Sequence, residues 1–196
     1  MDSGQANEVE IRQIFERSGA ILSGHFILSS GRHSDTYIQC ALVLQHPGLA
    51  GWLGAALATR LPAEGVTCVV GPALGGIIVA YEVARALGVR AIFTERVEGV
   101  MRLRRGFVVA PGEKVLVVED VVTTGGSVRE AAAVVEALGG MVVGYGALVN
   151  RGGERVHFGA PFAALLTVKA ATWEACECPL CRAGIPASRP GSRNLR

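Results

Sequence analysis

The sequence predicts an α/β fold, an open and mainly parallel sheet flanked by helices. Three observations carry that expectation. Short apolar runs of strand length recur at 66–70, 89–94, 115–118, 142–149 and 162–168. Helical patterns separate most of them, and such alternation implies parallel pairing through right-handed crossovers. Two of the runs, 66–70 and 115–118, lead through glycine-bearing loops into a helix.

Taken in order, 7–18 reads as an amphipathic helix, with Val9, Ile11, Ile14 and Phe15 apolar among charged and polar neighbours, and with Gly19 as its stop. In 24–38 two strand-like pieces flank the turn Ser29-Ser30-Gly31-Arg32, which by itself is an ordinary polar hairpin. A helix is expected over 48–61, ending before Pro62. The strand 66–70 runs into Gly71-Pro72-Ala73-Leu74-Gly75-Gly76 and a helical stretch over 77–87. After the strand 89–94, Arg96, Arg102, Arg104 and Arg105 crowd into 95–107, where Met101 and Leu103 alternate with the charges as in an exposed flap. Two readings stay open for it: a solvated charged loop, or a lid that brings positive charge to an anionic leaving group.

The centre of the pattern is 115–127. Val115-Leu116-Val117-Val118 reads as a strand buried on both faces, which Glu119 and Asp120 end. Val121-Val122-Thr123-Thr124-Gly125-Gly126 follows as a loop. Ser127 is the expected N-cap of a helix with Val128, Ala131, Val135 and Leu138 on its apolar face and Gly139-Gly140 at its end. Main-chain N–H groups, hydroxyls and the positive end of a helix dipole all suit a phosphate. The two acids do not, because carboxylates repel an anion; they fit a ligand that also offers hydroxyls to accept from. A sugar phosphate with a free cis-diol meets both demands. The loop lacks the Gly-Lys-Ser/Thr ending of a nucleoside-triphosphate loop and the glycine spacing of a dinucleotide fingerprint. The strand 142–149 ends in Asn150-Arg151-Gly152-Gly153, so Arg151 stands just past a strand's carboxyl end, where open α/β sheets bind ligands. It is either a solvated arginine or a fork for a carboxylate.

Composition narrows the partners. The 196 residues suit one domain with a small appendage, 1–175 followed by a Cys- and Pro-bearing tail over 176–196. No apolar run is long enough for a membrane, and 1–5 has neither the basic nor the apolar region of a secretory signal, so a cytoplasmic chain is expected. A net charge of +2 gives no argument for nucleic acid. Lys114 and Lys169 are the only lysines among 19 basic residues, so anions must be met mostly by guanidinium forks. Five cysteines, an odd count, argue against a disulfide framework. Cys40 and Cys68 read as buried thiols. Cys176, Cys178 and Cys181 cluster, and the last two have the spacing of a zinc knuckle. Structural zinc usually takes four ligands, so a site here needs a histidine or another subunit.

Glu119-Asp120-Val121-Val122-Thr123-Thr124-Gly125-Gly126-Ser127 resembles the phosphoribosyl-pyrophosphate (PRPP) motif of the type I phosphoribosyltransferases. The loop 71–76 resembles their pyrophosphate loop, one strand–helix unit upstream. The hairpin at 24–38 resembles the hood that covers the base in orotate phosphoribosyltransferases, though Ser29 stands where that family usually has lysine. Together these imply a Rossmann-like open sheet with a small N-terminal hood, mainly 20–45. They imply an enzyme that transfers 5-phosphoribosyl from PRPP to orotate, with Mg²⁺ held by PRPP itself. The implied catalytic residues are Glu119, Asp120 and Arg96. PRPP contacts fall on Glu119 through Ser127, on Ala73, Leu74 and Gly75, and on Arg96 and Arg102. Orotate contacts fall on Thr123, Arg151, Arg32, Tyr37 and Ile38. Arg96 matches the first arginine of the family's mobile loop, but the lysines and histidine of that loop are absent; Arg102, Arg104 or Arg105 stands in for them. Family members are commonly homodimers that share the lid. A purine phosphoribosyltransferase and a non-catalytic nucleotide-binding regulator on the same fold are the alternatives.

Overall fold

The computed structural model describes residues 6–28, 30–153 and 156–190. The expectations made for 1–5, for Ser29 and for the last residues of the tail lie outside them. Helix α1 (Glu8–Arg17) opens the chain, its N-cap Asn7 accepting from Glu10 N–H at 2.9 Å. Ile11, Ile14 and Phe15 are buried as expected, but Val9 is two-thirds exposed. Strands β1 (Ile21–Ile27) and β2 (His33–Ile38) form the predicted hairpin. Short α2 (Ala41–Leu44) precedes α3 (Pro47–Ala58), which starts at Pro47 because proline's fixed φ and missing N–H suit a first helical position.

Then come β3 (Cys68–Pro72), α4 (Gly75–Leu87), β4 (Arg90–Val97), β5 (Val100–Leu103), β6 (Lys114–Val122), α5 (Gly126–Ala137), β7 (Met141–Asn150) and β8 (Phe162–Thr167). The six-stranded sheet has the order β5-β4-β3-β6-β7-β8, parallel throughout except for the edge strand β5. Val115 through Val118 are all fully buried. Leu116 and Val118 face α1, α3 and α4, while Val117 packs with Val128 and Ala131 of α5, so this strand is covered on both sides.

Three details differ from the sequence expectation. The acids do not end β6: Glu119, Val121 and Val122 stay paired with Ala147, Val149 and Asn150. Ser127 is not the N-cap. Gly125 holds that place at φ +79°, a left-handed conformation that glycine adopts freely. Leu138 caps the end of α5 and is 45% exposed, turned away from the face it was expected to extend.

A second, antiparallel sheet has the order β1-β2-β9, with β9 at Thr172–Trp173. The chain then turns through a 3₁₀ segment and α6 (Pro179–Arg182) and returns to β1, where Ile27 N–H donates to Ser188 O and Ser188 N–H to His25 O, both at 2.9 Å. The C-terminal segment is therefore stitched onto the hood. Among the described residues no helix is long and apolar enough to cross a membrane.

Candidate active site

The carboxyl ends of β3, β4, β6 and β7 lie along one edge of the parallel sheet, so the loops at 71–76, 94–106, 119–127 and 150–153 gather there. At the centre is a cavity of ≈ 270 Å³ lined by Arg96, Glu119 and residues 121–128. The motif loop is braced from below by Arg129 of α5, whose guanidinium donates to Thr124 O at 2.6 Å and His157 O at 2.8 Å and lies over the Phe158 ring at 5.0 Å. With its carbonyls bound downward, the loop is held as a cradle at the helix start.

The acid pair differs in environment. Glu119 is 8% exposed and accepts from Asp120 N–H at 3.2 Å. Burial, with the Asp120 charge beside it, pushes its carboxyl up to about 9. Asp120 is half-buried and accepts from Val121 N–H at 2.8 Å. The 71–76 loop closes against the pair. A Cβ at Gly75 would collide with the Asp120 carboxyl, and one at Gly76 would come within 3.2 Å of Glu119 Oε1. Ala73 N–H donates to Thr94 O at 2.7 Å, the Ala73–Leu74 peptide is cis, and Leu74 is exposed. Gly75 thus packs against the Asp120 carboxyl, while Ala73 and Leu74 do not line the cavity.

The arginine flap is the hairpin β4–β5, turned at Glu98 and Gly99 with positive φ. Arg96 pairs with Glu130 of α5 at 2.6 Å and donates to Gly99 O at 3.1 Å. Arg105 and Arg104 are both drawn to Glu95, at 3.1 and 3.7 Å. Arg102 is exposed, and among the described residues it makes no ion pair.

On the other flank Arg151 is half-buried, its pKa lowered by burial but supported by nearby Asp35. It donates to Ser34 Oγ at 3.0 Å, and that hydroxyl donates to Ala171 O at 2.7 Å. The loop behind it is shaped by Asn150, whose Oδ1 accepts from Gly152 and Gly153 N–H, both at 3.0 Å. Arg32, Tyr37 and Ile38 lie on the hood but not together. Arg32 pairs with Glu174 at 3.0 Å and donates to Thr172 O at 3.3 Å. Tyr37 leans on Phe26, and Ile38 packs against the main core. Among the described residues none of these three bonds to Arg151 or to the motif loop.

Arg129 and Asn150 escaped the sequence reading because each serves main-chain groups, for which no spacing signal exists. The zinc expectation is corrected in membership: Cys176 is exposed and stands apart, and Cys178 and Cys181 meet His25 and His33 instead.

The fold and this constellation define a phosphoribosyl-transfer scaffold, and the comparisons agree. Residues 49–176 match the phosphoribosyl transferase domain, so the chain belongs to that family. Within it, the chain is similar to several orotate phosphoribosyltransferases over nearly its whole length. It is 57% identical over 186 residues to that of Pelotomaculum thermopropionicum, covering 95% of this chain and 98% of the relative. It is 51% identical over 186 residues to that of Thermotoga maritima, covering 95% and 100%. Among solved structures it resembles the orotate phosphoribosyltransferase of Aeropyrum pernix, with TM-score 0.68, 26% identity, and 81% and 94% of the two chains covered. It also resembles the Mycobacterium tuberculosis enzyme in complex with PRPP, with TM-score 0.61, 26% identity, and 82% and 95% covered.

Proposed function

We propose that this chain transfers a 5-phosphoribosyl group from PRPP to orotate, giving orotidine 5′-monophosphate and pyrophosphate. The observation that carries the reading is the cavity at the motif loop, with Arg151 at the end of the adjoining strand. The loop 123–127 waits at a helix start for a phosphate, and Arg151 stands at the carboxyl end of the neighbouring strand for a carboxylate.

In this reading Thr123, Thr124, Gly125, Gly126 and Ser127 hold the 5-phosphate through N–H and hydroxyl donors. Glu119 and Asp120 accept from the ribose hydroxyls. Ala73, Leu74 and Gly75 face the diphosphate, with Arg96 and Arg102 approaching it from the lid. The bond from C1 to the diphosphate oxygen breaks with its electron pair leaving on pyrophosphate. Positive charge then develops on the ribose, where the Asp120 carboxylate favours it, and that charge in turn favours release of the proton that burial keeps on Glu119. Orotate N1 forms the new bond to C1 and gives up its proton to the departing pyrophosphate. Arg151, with Thr123 and the hood residues Arg32, Tyr37 and Ile38 around the base, orients the acceptor by its carboxylate. Closure of the lid keeps water from the cation.

Mg²⁺ fits this donor set. Glu119 and Asp120 are the carboxylates at the cavity, and among the described residues no third metal-binding side chain groups with them. The ion would be held by the oxygens of PRPP, neutralising the leaving diphosphate. The chain is proposed to work in the cytoplasm as a homodimer sharing the lid.

Pyrophosphate release with orotate, hypoxanthine, adenine or no base, with and without Mg²⁺, tests the reading. Release is expected with orotate and Mg²⁺ together. Release with a purine alone would replace the acceptor, and silence with every base would make the chain a binding regulator.

A further inference from the structure

One cluster of metal-ligating side chains lies outside the transferase site. His25 Nε2 is 2.7 Å from His33 Nδ1 and 3.5 Å from Cys178 Sγ, and Cys181 Sγ lies 3.3 Å from His33 Nδ1 and 3.8 Å from His25 Nε2. All four donor atoms fall within 4.8 Å of one another. The histidines come from β1 and β2, and the cysteines from the start and body of α6, some 150 residues later. We infer that His25, His33, Cys178 and Cys181 form a tetrahedral structural zinc site that fastens the C-terminal segment to the hood.

Four observations support it independently of the transferase reading. First, Zn–N of about 2.0–2.1 Å and Zn–S of about 2.3 Å set the edges of a tetrahedron at roughly 3.3–3.8 Å. Three of the four separations above already lie there, and the histidine pair needs only to open slightly. Second, His25 Nδ1 lies 2.7 Å from Ile185 O. A carbonyl only accepts, so Nδ1 carries the hydrogen and Nε2 turns its lone pair inward. A metal-binding histidine is braced in this way. Third, His25, His33 and Cys178 are buried, so two imidazoles and a thiol converge away from water, where unpaired polar groups are costly. Fourth, a three-stranded sheet with a two-residue edge strand has little core of its own, and a small unit of that kind is where a metal staple contributes most. Two sulfurs and two imidazoles in tetrahedral disposition suit zinc and disfavour Mg²⁺ or Ca²⁺, which take oxygen. All four positions are filled by protein, leaving none open for chemistry. Binding turns both thiols into thiolates and releases their two protons to solvent.

The test uses the full chain purified under reducing conditions and dialysed against metal-free buffer. Elemental analysis is expected to find one zinc per chain, and a strong chelator that strips it should lower the melting temperature by several degrees. Replacement by Co²⁺ should give a thiolate-to-cobalt charge-transfer band and the intense visible bands of a tetrahedral site. Cys178→Ser should lose the metal, while Cys176→Ser, outside the cluster, should keep it. If Cys178→Ser does not fold, the cobalt spectrum of the unmodified chain decides alone. Sub-stoichiometric zinc after reconstitution, a cobalt spectrum without the charge-transfer band, or a Cys178–Cys181 disulfide in the reduced preparation would each overturn the site. None of these readouts uses enzymatic activity, so failure here leaves the proposed reaction standing.

Discussion

Glu119 carries its proton at neutral pH, because burial and the Asp120 charge push its carboxyl to about 9 from an ordinary 4.5. Between those values the folded chain keeps a proton that the unfolded chain has released. Stability from this group is therefore full below the ordinary carboxylate value and falls as pH rises toward the folded one. Glu119→Gln keeps the neutral shape. Its melting temperature should match the parent near pH ~5 and exceed it by a growing margin toward pH ~8, at up to about 1.4 kcal/mol per pH unit. Turnover should fall, since the amide has no proton to release and cannot become the carboxylate that the ribose cation favours. A margin that does not change with pH would show that the carboxyl titrates normally. Arg151→Ala should raise the KM for orotate about tenfold or more while moving that for PRPP far less, a charged hydrogen bond being worth about 1.5–3 kcal/mol. Equal effects on both would remove its assigned contact. At this scale the sequence revealed residues whose chemistry faces outward, such as Glu119, Asp120 and Arg151. Arg129 and Asn150 stayed hidden because their partners are main-chain carbonyls and N–H groups that only the folded loop brings near.

Elements explain the next set of differences. The loop-to-helix turn was legible, but its cap moved from Ser127 to Gly125, because the chain must pass through a left-handed residue to swing Thr123 and Thr124 over the helix start. Gly125→Ala puts a Cβ 2.9 Å from both the Phe158 ring and the Arg129 guanidinium, in a conformation costing L-residues about 1–2 kcal/mol. Thermal unfolding should show a loss of at least that size, with weaker PRPP binding by calorimetry. Gly75→Ala instead drives a Cβ into the Asp120 carboxyl, so it should raise the KM for PRPP with little change in melting temperature. In the lid, Glu95 holds Arg104 and Arg105, so of the three arginines proposed to stand in for the family's lysine only Arg102 makes no ion pair among the described residues. Arg102→Ala should therefore reduce kcat more than Arg104→Ala. The reverse order in steady-state kinetics would reassign the role. The flap's strand character showed in its alternation, but which arginines are tied down could not, since that depends on how β4 and β5 pair.

For the molecule as a whole, the parallel sheet was readable because apolar runs and helical periods alternate, and the buried run 115–118 of β6 announces itself by its continuous valines and leucine. The return of the tail was not. Its link to the hood runs through His25 and His33, far away in sequence and each unremarkable where it stands. Only the position of the hairpin beside β9 joins them.

The close contact between the motif loop and the loop that carries Arg151 has one more result. Arg151 N–H donates to Val122 O at 2.7 Å, and Gly152 lies so near Thr123 O that a Cβ would not fit between them. Main chain touches main chain there, with no flexible side chain to absorb an error. The main chain of the phosphate cradle and that of the Arg151 loop are thus held at one spacing like the jaws of a caliper, and the guanidinium is set by its own bond to Ser34 Oγ at 3.0 Å. In the proposed reaction, an acceptor would therefore be gauged from a rigid base, with the Arg151 side chain as the one adjustable part.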